Sequence, residues 1–454
     1  MTDVQAYIDK EMDRFQEELF AFLRIPSISA RSEHTPGVHE AASWLADGME
    51  AAGLGGTVVE TPGHPVVLGE WRGAGPQAPT VLIYGHYDVQ PAEPLEEWES
   101  PAFEPTVRDG DIFARGASDN KGQLMVHLKA LESHLQARGR LPVNVVVVAE
   151  GEEEVGSPNL VPFVKNHRER LACDAVLISD SSMFAQGSPS LLFSLRGLAY
   201  FEIHVQGPAG DLHSGTYGGA VVNPGNVLAR IVASLLDEKG RIAIPGFYDD
   251  VVEWDEETRA AIRDLPFDRE EFGREVRAPG LNGEEGFSIL ERLWIRPTCD
   301  VNGILCGYTG EGAKTVLPAR AMAKVSFRLV PDQHPARVRE LLEAHVRELA
   351  PPEVDVRIVE LHGGRPWRAS LSGPFFEAAR RALSRAFGVE PVLTGEGGSI
   401  PIVVDFQEVL QAPVLLMGLA PPGANMHAPN EWIPVENFQK GIRAAAHFYE
   451  ELGG

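Results

Sequence analysis

At 454 residues the chain is longer than a single hydrophobic core usually supports, so two domains are expected. Apolar residues make up 44% and charged residues 23%, as in an ordinary globular protein, and the formal net charge is −25. That charge argues against nucleic acid or an anionic membrane surface as a partner, since either calls for a basic patch.

The N-terminus carries Val4, Ile8, Met12, Phe15, Leu19 and Phe22 at helical spacing and predicts an amphipathic helix. It lacks the basic segment and apolar core of a signal peptide, and no apolar run approaches the roughly 20 residues that span a bilayer. A soluble, cytoplasmic protein is therefore expected. Cys173, Cys299 and Cys306 form no CxxC pair, so neither a thiolate zinc site nor a disulfide framework is indicated.

Four short apolar runs follow: TVLIY (80–84), VNVVVVA (143–149), AVLIS (175–179) and VLLMG (414–418). Near-continuous β-branched runs predict strands covered on both faces, as in parallel sheets. Between them lies a helical pattern with Leu124, Leu128, Leu131 and Leu135, and Asp119 stands where its N-cap is expected. Strands alternating with helices predict an α/β sheet.

The middle of the chain differs. YFEIHVQG (200–207), AKVSFRLV (323–330) and VDVRIVEL (354–361) alternate apolar and polar residues, the period of half-exposed antiparallel strands. Helices are expected after Asn223 and over about 335–349. The order strand, helix, strand, strand, helix, strand predicts a ferredoxin-like inserted domain. The expected division is thus 1–196 and 367–454 for one discontinuous catalytic domain and 197–366 for the insert. Residues 239–300 read as acidic and loop-rich.

The buried runs end in acids and histidines. His86 and Asp88 follow the first, and Glu150, Glu152, Glu153 and Glu154 follow the second. Asp180 follows the third, and His427 lies beyond the last. In open α/β sheets ligands bind beyond the carboxyl ends of strands. A lone histidine or acid there is more often a hydrogen-bonded structural residue, and Asp119 alone could be only a helix cap. Together they would repel one another unless a cation neutralised them. Two histidines with three or four carboxylates fit two divalent ions, zinc most easily and manganese or cobalt next. Such a pair activates a water, and a further carboxylate, one of the adjacent glutamates, is needed as general base.

The ordered motifs GHYDVQP, ARGASDNKG, EGEEEVGS, ISD, DLHSGTYGG, EGGSIP and HAPNE resemble the di-metal peptidase family of aminoacylases, succinyl-diaminopimelate desuccinylases and carnosinases. The closest likeness is to the cytosolic non-specific dipeptidase and carnosinase branch, and it runs from the first helix to the last. The resemblance implies His86, Asp119 and Asp180 on one ion and Asp119, Glu154 and His427 on the other, with Asp119 as the bridge. Asp88 would orient His86, Glu153 would be the general base, and a cis peptide would join Asp119 to Asn120. A shift of one residue within the turn would exchange Glu153 with Glu152 or Glu154; the following Gly156–Ser157 pair favours this register. In the insert, His213 would stabilise the oxyanion from across a homodimer formed by the inserted domain. Arg328 would grip the substrate's free carboxylate, assisted by Gly398 and Ser399, with Thr315 and His362 adding contacts.

The resemblance thus implies hydrolysis of dipeptides or short peptides at an amide next to a free carboxylate. The competing enzyme reading is an N-acyl amino acid deacylase or desuccinylase with the same metals. A non-catalytic metal-stabilised binder is disfavoured by the presence of both a base candidate and a full ligand set. Serine, cysteine and HExxH-type hydrolases are disfavoured because GxSxG is absent, no cysteine neighbours a histidine, and HEAAS at residue 39 lacks the second histidine.

Overall fold

The computed structural model describes residues 3–398, 400 and 402–453, and these form two compact units. One unit comprises the chain up to Phe193, Ala369–Thr394 and the chain from Ile402 on; the other comprises Ser194–Arg368 and the short stretch beginning at Gly395.

The first unit is built on a mixed sheet with a parallel centre. Six neighbouring strands of it run in the order Thr57–Val59, Val66–Trp71, Asn144–Glu150, Thr80–His86, Ala175–Ile178, Val414–Gly418. The last four are mutually parallel, and Val66–Trp71 is antiparallel to its neighbour. Val145, Val146, Val147 and Val148 are each at most 2% exposed, as expected of a strand covered on both faces. Register then places the chemistry. Val81 pairs with Val145 and His86 with Glu150, so the glutamate turn leaves the sheet beside His86.

The helix Lys121–Arg138 is buried along nearly its whole length and packs against Asp3–Leu23, Val435–Gly453 and the strand Thr80–His86. Its N-cap is Asn120, without a side-chain capping bond, rather than Asp119. Asp119 is displaced from the capping position because its carboxylate faces two imidazoles instead.

Within this helix His127 is 1% exposed, with Nδ1 3.2 Å from the Tyr449 hydroxyl and Nε2 2.9 Å from Ser179 Oγ. Burial pulls its pKa down to about 4. The unfolded imidazole titrates near 6.5, so the unfolded state binds the extra proton first and His127's contribution is lost as pH falls from there toward 4. The expected loss from this group is up to roughly 3 kcal/mol. Urea unfolding at pH 7 and pH 4.5 checks it: His127→Gln should shrink the gap between the two midpoints, and an unchanged gap refutes the assignment.

The second unit carries an antiparallel sheet in the order Thr298–Cys306, Arg320–Leu329, Gly197–Gln206, Asp355–Gly364. Taken by chain position this is the ferredoxin-like arrangement, with helices Pro224–Ala233 and Pro335–Leu349 against the sheet. Burial alternates residue by residue along Gly197–Gln206 and Arg320–Leu329, as period-two patterning requires. Phe201, Ile203, Val325 and Phe327 point into the core with Val227, Ile231, Val338 and Leu342 of the helices.

Residues 239–300 are less loop-like than their composition suggests. They hold the short helices Glu256–Arg263, Arg269–Glu275 and Ile289–Trp294. Asp255, Asp268 and Ser288 cap these through their side chains, and Ser288 with Glu291 forms a capping box. Helices of two turns carry too few apolar residues to show a period.

Candidate metal centre

The centre lies wholly within the first unit. His86 ends its strand with no exposed surface, and its Nδ1 lies 3.1 Å from the backbone carbonyl of Asp88. A carbonyl only accepts, so Nδ1 carries a proton. Burial opposes a charge on the ring, but Asp180, Asp119 and Asp88 outweigh it and raise its pKa well above the usual value, so Nε2 would offer a lone pair only to an ion that takes the place of its proton. Nε2 lies 3.0 Å from Asp119 Oδ1 and 3.7 Å from Asp180 Oδ1, yet it is buried without a hydrogen-bond partner among the described residues. On the other side of Asp119, Oδ2 stands 3.0 Å from His427 Nε2, which is 3.2 Å from Glu154 Oε2. His86, Asp119 and Asp180 form one group, and Asp119, Glu154 and His427 the other. Within each, one ligand atom per residue lies within 4.8 Å of the others. Asp119 belongs to both, and the Asp119–Asn120 peptide is cis, as the resemblance implies.

The four glutamates of the turn separate by their contacts. Glu150 accepts the Tyr84 hydroxyl at 2.5 Å and Ser157 Oγ at 2.8 Å, and burial pushes its pKa up to about 8. Glu152 accepts the His64 amide at 3.0 Å and Asn159 Nδ2 at 2.8 Å. Glu154 faces His427 and accepts Gln90 Nε2 at 2.8 Å. That leaves Glu153 as the member of the turn with no side-chain hydrogen bond among the described residues. The Asp88 carboxylate aims the turn, accepting the amides of Glu153 at 3.2 Å and Glu154 at 3.1 Å. It also approaches His86 Nδ1 at 3.4 Å, so its backbone carbonyl is the nearer partner of the ring.

Unneutralised, this arrangement is costly. Burial pushes Glu153, Glu154 and Asp180 above the ordinary carboxylate range, and the neighbouring negative charges add to the effect while the imidazoles oppose it. Burial would raise Asp119 too, but His427 and His86 hold it below that range. His427 is pushed up to about 10 by its bonds to Asp119 and Glu154. Acids that resist ionising, beside a buried imidazole nitrogen with no hydrogen-bond partner among the described residues, fit a divalent cation in each group.

Sequence reading overlooked the residues that support these ligands. Asn120 donates Nδ2 to Asp180 Oδ1 at 2.8 Å and to the Ser179 carbonyl at 2.6 Å, and Gln90 steadies Glu154. Their positions inside ASDNKG and YDVQP were the only signal.

The other predicted residues that the structure describes lie in the second unit. His213 is exposed and caps the short helix Ser214–Tyr217, its Nδ1 accepting the Gly215 amide at 3.0 Å. The Thr315 carbonyl accepts the Ser214 amide at 3.0 Å, which brings His213 and Thr315 side by side. Arg328 lies on the central strand Arg320–Leu329, opposite Leu198 and Thr298. His362 sits where the pairing of Asp355–Gly364 is interrupted, edge-on to Tyr200 at 5.2 Å. Gly398 is exposed. Ser399 lies outside the described residues.

Residues 82–451 match the model of peptidase family M20/M25/M40. The Cys-Gly metallodipeptidase of Schizosaccharomyces pombe is 34% identical, over 98% of this chain and 97% of its own. The Beta-Ala-His dipeptidase of Homo sapiens is 32% identical, over 97% of this chain and 86% of its own. The crystal structure of an M20 family metallo-carboxypeptidase from Sulfolobus solfataricus matches with a TM-score of 0.84 at 36% identity, covering 97% of this chain and 99% of that one. The mixed α/β fold, the paired His/Asp/Glu groups and the full-length likeness agree: the chain belongs to peptidase family M20/M25/M40 and is a metallopeptidase.

Proposed function

We propose that the protein is a dipeptidase with two divalent ions, zinc the best suited, that cleaves an amide next to a free carboxylate. The observation that carries this reading is the single carboxylate, Asp119, facing two imidazoles from opposite sides. His86, Asp119 and Asp180 would hold one ion, and Asp119, Glu154 and His427 the other. Bound there, the pair would supply a water acidic enough to deprotonate near neutral pH and a Lewis acid for the scissile carbonyl. Glu153 takes the proton from that water and later delivers it to the departing amine. Asp88 keeps Glu153 in place through the backbone of the turn.

Arg328 receives the substrate's free carboxylate. Two features support this role. Arg328 has no ion-pair partner among the described residues, and it lies near Arg196, which is 8% exposed with a buried, unpartnered Nε. Burial and the charge of Arg328 pull Arg196 down to about 10 against the opposing charge of Asp300, as expected of two neighbouring cations. Gly398, Ser399, Thr315 and His362 would complete the substrate contacts. His213 would donate to the oxyanion, reaching a partner subunit's site in a homodimer formed by the inserted unit. A cytoplasmic setting suits three cysteines, none of them in a disulfide.

The test is a substrate panel before and after chelation. Dipeptides with a free C-terminus should be hydrolysed, activity should vanish on dialysis against a chelator, and zinc or manganese should restore it. Rapid cleavage of N-acetyl or N-succinyl amino acids with no dipeptide turnover would replace this reading with the deacylase one.

A further inference from the structure

Glu431 ends the motif NMHAPNE, four positions beyond His427, and nothing in the chemistry above uses it. It is wholly buried, and both its oxygens face the segment that carries Asp119. Oε1 accepts the amides of Ser118 and Asp119, each at 2.9 Å. Oε2 accepts the Gly116 amide at 2.9 Å and Arg115 Nη1 at 2.7 Å. Further bonds join the same two segments: Ala114 N to the Glu431 carbonyl at 3.1 Å, Ser118 Oγ to the Trp432 carbonyl at 2.8 Å, and Arg115 Nη2 to the Ala428 carbonyl at 3.2 Å.

A core ion pair would need only Arg115. Three backbone amides gathered on one carboxylate instead fix the path of a chain, because each charge-assisted bond restrains one peptide plane. The restrained path ends at the residue with the least positional slack, since Asp119 has an imidazole at 3.0 Å from each of its oxygens. Glu431 itself sits on the loop that presents His427, where His427 and Asn430 both adopt positive φ. The carboxylate thus ties together two stretches more than 300 residues apart in sequence, each bearing ligands of the second group.

We propose that Glu431 is the positioning residue of the metal centre, holding the Asp119 segment and the His427 loop in ligand geometry before any ion arrives. This rests on the two-ion reading above. In glutamine an NH2 replaces one oxygen and meets at least one of the backbone N–H groups donor to donor, so the clamp cannot be kept intact by that change.

Two measurements test the proposal. In the first, the chelated parent, Glu431→Gln and Arg115→Lys are titrated with zinc against a chromophoric competitor. Glu431→Gln should weaken zinc binding by about 10–100-fold, the usual effect of losing a group that orients ligands. Arg115→Lys, which leaves the three backbone bonds in place, should lower the unfolding midpoint with a smaller loss of affinity. A folded Glu431→Gln protein that binds zinc like the parent would overturn the proposal, as would equal losses of affinity in the two variants. The second measurement needs no variant: hydrogen exchange of the parent with and without a chelator. The amides of residues 116–119 should stay protected when metal is removed; release on chelation would show that the ion, not Glu431, orders the segment. If Glu431→Gln fails to fold, the exchange result decides. A parent that binds no divalent ion would instead overturn the two-ion reading, and exchange would still judge the clamp.

Discussion

Glu153→Gln should lower kcat by about 10²–10⁴-fold, the usual contribution of a positioned general base, while metal content stays at the parent level. The change is nearly isosteric and removes only the ability to take a proton. Contacts within the turn single out this residue. Glu150 is bound to Tyr84 and Ser157, Glu152 to His64 and Asn159, and Glu154 to His427 and Gln90. Burial and the charges of Asp180, Glu154 and Asp119 raise Glu153, which brings a carboxyl toward the pH range in which it can both accept and return a proton. Steady-state kinetics with metal analysis on the same preparation checks the prediction. An active Glu153→Gln enzyme would remove Glu153 from the mechanism. Inactivity with metal lost would make it a ligand instead.

Asp119→Ala should abolish activity and remove both ions, a larger effect than any other single ligand substitution. Asp119 is the one residue common to the two groups, whereas Asp180→Ala strips a carboxylate from only one of them. The loss is expected to exceed one ligand's worth of binding, because His86 Nε2 and His427 Nε2 lose the same anion. Metal analysis after gel filtration distinguishes the cases: fewer than one ion per chain for Asp119→Ala, and near one for Asp180→Ala under mild conditions. Equal retention in both variants would show that Asp119 does not bridge.

The two candidate ligand groups were legible because most of their members follow a segment with a strong local signal. Buried β-branched runs end at His86, Glu150 and Ile178, and a parallel sheet brings such ends to one edge. The second unit was legible for a related reason: its strands alternate cleanly, and its two main helices carry apolar stripes. The helices of 256–294 were not, since two turns give no period to detect. The alternative of Asp119 as a mere helix cap falls away for a different reason. A side chain that could cap a helix was claimed by partners far along the chain.

Sequence alone therefore determined the main strands and helices, the fold class and the ordered acids and histidines, because hydrophobic period and short motifs are local properties. Only the tertiary structure decided which glutamate is left unbonded, that the Asp88 carboxylate aims the glutamate turn, and that Glu431 clamps the Asp119 segment. Asp88 bonds to the turn across 65 positions and Arg115 to Glu431 across 316, and strand register and loop path, not local pattern, choose such partners.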